Sequence, residues 1–174
     1  MSLAFETFWR AQPKAGLIPS RSEFRPERAT RFLKNIILLK ALDDSTGPLM
    51  VRLLGSAIQF RIQRDIAGQD VLDYLSPVHR DGARESVRLV QSQPCGLWQV
   101  MALHYERGFS QKFELTAFPL RDPDGSPSML LGLVVPLEEA VAALPVQGKA
   151  MLVDTAIAFC WLDLGAGLPA WPSK

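Results

Sequence analysis

What this chain has little of excludes more than what it has in plenty. Its 174 residues include two cysteines, Cys95 and Cys160, and two histidines, His79 and His104. Two thiols so far apart cannot build a disulfide framework and lack the paired spacing of a zinc site, so a reducing, cytoplasmic setting is expected. Two histidines with no third partner placed by spacing leave little for a metal centre or for a nucleophile and its base. There is no Gly-rich phosphate loop and no helix-turn-helix, RNA-binding or zinc string. Nor does any stretch supply the roughly 20 apolar residues that a spanning helix needs. The longest run, Met151 to Leu164, is interrupted by Asp154. The first residues show no basic region followed by an apolar run, so no secretory signal is expected either. An excess of one charge is also missing, with 19 basic against 18 acidic residues and 48% apolar content. That balance excludes intrinsic disorder, and the length suits one hydrophobic core.

The near-neutral sum hides a division. Residues 1–40 carry eight basic and three acidic side chains, a net +5, which leaves −4 on the remainder. Within this basic front, Leu3 to Ala11 sets Phe5, Phe8 and Trp9 at helical spacing, an amphipathic helix with an aromatic edge. Gly16 and Pro19 end it. Pro26 in a first turn and the stripe Ala29, Phe32 and Leu33 describe a second short helix, with Arg25, Arg28, Arg31 and Lys34 on its other face.

Two aliphatic runs follow, Ile36 to Leu42 and Leu49 to Gly55, joined by turn-forming residues from Asp43 to Pro48; they read as a hairpin. Ser56 opens a helical turn with Ile58 and Ile62, and Asp70 can cap another holding Val71, Tyr74 and Leu75. Ser76-Pro77 starts the longest helix, where Ala83, Val87 and Val90 form a stripe. After Cys95 the period becomes two. Leu97 to Glu106 and Gln111 to Leu120 are strands turned at Arg107-Gly108, and Asp122 to Pro127 is a strong turn before Met129 to Pro136, which is apolar on both faces. The order predicts an α+β domain, a five-stranded antiparallel sheet with helices packed on one face.

Beside this order of elements stand the strings Leu17-Ile18-Pro19-Ser20-Arg21 with Phe24 and Pro26, Val51-Arg52-Leu53-Leu54-Gly55, Gly68, Pro119-Leu120, Leu131-Gly132 and Asp163-Leu164-Gly165-Ala166-Gly167-Leu168. Together they resemble the PAS domain family, in particular short stand-alone bacterial PAS-like proteins. The resemblance implies a sheet in spatial order 2-1-5-4-3, a small pocket between sheet and helices, a sensory or interaction role, and frequent dimers. Flavin-binding members place a reactive cysteine in an Asn-Cys-Arg string that is absent here, which argues against flavin. Haem-binding members hold iron through a histidine on the long helix; His79 stands at the start of that helix, and nothing else in the sequence supports haem.

The candidate residues each have a plainer reading. His79 and His104 read as surface side chains, Cys95 as an exposed turn residue, and Cys160 as a small buried one. Arg52 interrupts an aliphatic strand, so it either faces solvent, sits buried with a carboxylate, or anchors a ligand. Phe60, Tyr74, Trp98, Met101 and Phe113 are the residues expected beside a pocket, their alternative being ordinary core. The basic front reads as a solvated face, which argues against nucleic acid. From 153 to 161, β-branched and aromatic residues alternate with smaller ones, which favours a strand beyond the core. This strand and the Phe8/Trp9 helix are expected to shape a dimer contact. The organisation is thus an N-terminal arm at 1–35, a core at 36–137 and an extension at 138–174. The functional reading is a non-catalytic sensory module that binds a small molecule and forms a homodimer. The alternative is a ligand-free interaction protein that docks a signalling partner or, less favoured, a nucleic-acid regulator.

Overall fold

The computed structural model describes residues 1–42, 47–106, 108–137 and 150–170, with side chains left out at 150–152, 155 and 156. Asp43 to Thr46 of the expected first turn, Arg107 of the second, and the segment 138–149 lie outside the described residues.

Six strands form one antiparallel sheet: β1 (Ile36–Ala41), β2 (Leu49–Leu54), β3 (Cys95–Tyr105), β4 (Ser110–Leu120), β5 (Met129–Pro136) and β6 (Ala150–Asp163), in the order β2-β1-β5-β4-β3-β6. The first five follow the expected 2-1-5-4-3 order. The additional strand adds to β3 of its own chain, from Cys95↔Asp163 to Tyr105↔Ala150. Among the described residues four α-helices accompany the sheet: α1 (Ser2–Arg10), α2 (Thr30–Leu33), α3 (Ser56–Ile62) and α4 (Pro77–Ser92). A 3-10 turn at Val71–Tyr74 is capped by Asp70, whose carboxylate accepts the Leu72 amide at 3.0 Å. No described helix is long and apolar enough to cross a membrane.

The helices of the core share one face, as expected, and the N-terminal arm takes the other. Along β5, Leu131 and Leu133 point to one side while Leu130 and Val134 point to the other, so both faces are apolar and both need cover. α3 and α4 lie on the second side. The first side is closed by α1 and α2, whose Phe5, Trp9 and Phe32 sit against Ile36, Phe118 and Leu133. Trp9 stacks on Phe118 at 5.0 Å between centroids and donates its indole N–H to the Pro119 carbonyl at 3.1 Å. The aromatic edge expected at a subunit contact is therefore spent within the chain, with Phe5 0% and Trp9 1% exposed.

Two of the strings noted in the sequence hold this arm. Pro19-Ser20-Arg21 runs beside the end of β4, with Arg21 donating to the Arg121 carbonyl at 2.7 Å and Arg121 to the Pro19 carbonyl at 2.9 Å. After β6, the Asp163 carboxylate accepts the amides of Gly165 and Gly167, both at positive φ, while the Arg10 guanidinium donates to the Asp163 carbonyl at 2.7 Å. Gly55 is required where α3 begins, because a Cβ there would stand 2.5 Å from the carbonyl oxygens of Leu33 and Lys34.

Replacing Trp9 separates packing from hydrogen bonding. Trp9→Ala is expected to lower unfolding stability by about 3–5 kcal/mol, and Trp9→Phe by a smaller amount that includes the indole hydrogen bond, about 1 kcal/mol. Urea unfolding monitored by far-UV circular dichroism checks both; a Trp9→Ala protein of unchanged midpoint would refute the packing role.

Candidate functional site

The second face of the sheet is covered less tightly. α4 presents Gly82, Ala83 and Ser86 toward the sheet, and short side chains there leave a gap where larger ones would fill it. The result is a cavity of about 780 Å³ between the sheet, α3, α4 and β6. That volume lies within the about 300–1,000 Å³ typical of sites that enclose a small organic ligand. Its floor includes Ile37, Leu115, Leu130 and Val134, its roof Ile58 and Val87, and Val153 and Phe159 bring β6 to one wall. Gly132 lies in the floor; a Cβ there would meet Ile37 at 2.8 Å.

Few polar groups reach the cavity. Arg61, in the last turn of α3, is half-buried and donates to the Asn35 side-chain oxygen at 3.0 Å, with its guanidinium carbon 5.9 Å from the Phe113 ring. Burial lowers its pKa, and neighbouring Tyr105 acts in the opposite direction. Gln63 then ends α3 at φ 52°, turning the chain so that Arg64 also lines the cavity. The Arg64 guanidinium lies 5.9 Å from the Tyr74 ring, and its Nε is buried with no hydrogen-bond partner. Tyr74 donates to Gln69, and Ser86 to the Gly82 carbonyl at 2.8 Å. Gln99 is on the same face of β3 as Met101.

Of the six residues selected from the sequence, Tyr74, Met101 and Phe113 line the cavity and three do not. Phe60 is 62% exposed, because two residues along a helix from Ile58 is more than half a turn away from the cavity. Trp98 lies one position from Leu97 and Gln99 and so faces the other side of β3, where its indole donates to Glu114. Arg52 is exposed on the edge strand β2. Sequence reasoning missed Arg61 and Arg64: Arg61 stands about one helical turn from Ile58, which was a usable signal, whereas Arg64 lies past the end of α3 and had none.

The histidines are partly exposed, as expected of surface side chains, but both face one carboxylate. His79, in the first turn of α4, lines the cavity with Nε2 3.8 Å from an Asp154 carboxylate oxygen. His104 Nε2 faces the other oxygen of the same carboxylate at 2.9 Å, and its Nδ1 is 2.7 Å from the Ser110 hydroxyl. With the ring proton on Nε2 toward Asp154, Nδ1 accepts from Ser110. Folding thus assembles a hydroxyl, imidazole and carboxylate in series from β4, β3 and β6, which sequence spacing could not show. Among the described residues none of these three lines the cavity, and no group of histidine, cysteine and acidic side chains could hold a metal ion. Arg25, Arg28, Arg31 and Lys34 are all exposed.

The cysteine assignments reverse. Cys95 begins β3 and is 0% exposed, with burial pushing its pKa up to about 11, whereas Cys160 is exposed on β6. Neither lines the cavity. Because only the thiolate reacts, Cys95 stays protonated and inert near pH 8. Iodoacetamide at that pH should modify one thiol per native chain, with none modified after Cys160→Ser; labelling of Cys95 in the folded protein would contradict this placement.

A family model described as PAS domain matches residues 1–135, which takes in the N-terminal arm and ends within β5. Among solved structures, the PAS domain of a protein from Colwellia psychrerythraea is 12% identical, covering 65% of this chain and 96% of that one with a TM-score of 0.49. The Rhodobacter sphaeroides LOV protein is 15% identical over 80% of this chain and 70% of its own, with a TM-score of 0.48. The Vibrio cholerae VqmA dimer without target DNA is 17% identical with a TM-score of 0.44, over 67% of this chain and 53% of that one. No curated protein matches the sequence. With 135 of 174 residues matched by the family model and the five-stranded order 2-1-5-4-3 in place, this chain belongs to the PAS domain family.

Proposed function

We propose that this protein is a sensory module that takes a small molecule into the cavity between sheet and helices, performs no catalysis of its own, and acts as a homodimer in the cytoplasm. The observation that carries this reading is the contrast between the two sides of one sheet. The outer face is filled with aromatic residues, while the inner face encloses about 780 Å³ lined almost wholly by apolar side chains. A ligand shifts a conformational equilibrium only through different affinity for its states. β6 gives occupancy a route outward, because Val153 and Phe159 touch the cavity while the strand forms an edge of the sheet. An edge strand offers unpaired backbone groups to a second copy. Two unpaired thiols fit a reducing compartment.

Native mass spectrometry of the purified protein reads occupancy and assembly together. The expected species is two chains with a retained small molecule, and Ala83→Trp, which fills the cavity from α4, should remove that added mass. A protein with no retained mass that also fails to take up an apolar dye would favour a ligand-free interaction module.

A second reading rests on the Ser110, His104 and Asp154 series, the order found in serine hydrolases. Non-catalytic function is preferred because the three lie outside the cavity and the His104 and Ser110 Cα atoms are simply cross-strand partners. A fluorophosphonate probe is expected to leave the protein unlabelled; labelling lost in Ser110→Ala and His104→Ala would establish the hydrolase reading instead.

A further inference from the structure

We propose that the ligand is an amphipathic anion, a long-chain carboxylate whose head is held by Arg61 and Arg64 while its chain fills the aliphatic cavity. This rests on the ligand-binding reading above and narrows it.

The charge balance of the walls carries the inference. Arg61 and Arg64 both line the cavity, and among the described residues neither makes an ion pair. Asp81 also lines it, but its carboxylate is 98% exposed and pairs with Arg84 at 3.2 Å, so it does not neutralise the α3 arginines. Of the neutral polar side chains in the lining, Ser86 is spent on Gly82 and Tyr74 on Gln69, and the uncharged Gln99 amide supplies no counter-charge. Two cationic groups therefore face an apolar space without a counter-charge.

Hydrogen bonding points the same way. A guanidinium carries five N–H donors. Arg61 satisfies one of its donors on the neutral Asn35 oxygen, and Arg64 keeps its Nε buried with no acceptor. The remaining guanidinium N–H groups of both arginines can meet an acceptor that enters the cavity they line. Planar guanidinium groups match a carboxylate in geometry and charge.

Shape then decides what the carboxylate is attached to. A small polar anion could satisfy the arginines but would leave most of about 780 Å³ lined by Ile58, Leu115, Leu130 and Val134 without apolar contacts. A long hydrocarbon chain satisfies both parts.

Fluorescence competition with dodecanoate and 1-dodecanol, which share a chain and differ in the head, tests this on the full-length protein. Dodecanoate is expected to bind at least about tenfold more tightly than dodecanol. The difference should shrink in Arg64→Gln and vanish in Arg61→Gln/Arg64→Gln, with dodecanol binding unchanged. Arg64→Gln leaves the Arg61 to Asn35 contact intact, so it remains informative if the double variant unfolds. Equal binding of the two probes to the native protein overturns the carboxylate assignment while leaving a ligand-binding cavity. Binding of neither overturns it as well, and the retained mass in native spectrometry then decides the broader reading separately.

Discussion

One constraint organises this molecule: a sheet that is apolar on both faces must be covered on both. β5 carries the constraint most plainly, since every residue from Met129 to Val135 is buried. The two covers differ in kind. The outer one is dense, built from Phe5, Trp9 and Phe32 interlocked with Phe118, and the inner one is spaced by Gly82, Ala83 and Ser86. Close-packed aromatic side chains supply burial and dispersion contacts that an open cavity forgoes. Division of labour follows, with the N-terminal arm supplying packing that the cavity side lacks.

The C-terminal strand changes what the open side can do. Without β6, β3 would be an edge and the cavity would lose Val153 and Phe159 from its wall. With it, the start of α4 is tied to the new edge through the Ser76 amide and the Val153 carbonyl at 3.0 Å. Asp154, the next residue, faces His79 of α4 and His104 of β3. Three elements that border the cavity therefore meet at one carboxylate.

Period and punctuation made most of this architecture legible in the sequence. Alternation in Gln111 to Leu120, the double-sided run at Met129 to Pro136, Ser76-Pro77 before α4 and Asp70 before its turn each report a local rule that tertiary contacts did not override. What was not legible depended on which side of an element a residue takes. Trp98 and Phe60 were selected by chemistry, but strand alternation and helical angle sent them away from the cavity. The cysteines show the same limit: a Pro-Cys-Gly string resembled a turn, yet it begins a strand whose first side chain packs under α4. Arg61 and Arg64 carry no motif of their own, and the closing of α3 over β4 reveals what Arg61 faces.

The arginines carry a cost where they stand. Burial disfavours the charged state, and a half-buried guanidinium held only by Asn35 is less well solvated than one at the surface. Apolar side chains in their place would avoid that cost, by the same logic that fills the outer face with aromatics. Retaining them leaves the inner face deficient in both volume and negative charge. The proposed ligand, with an apolar body and an anionic end, would correct both deficits at once, and Val153 would set it beside the edge strand β6.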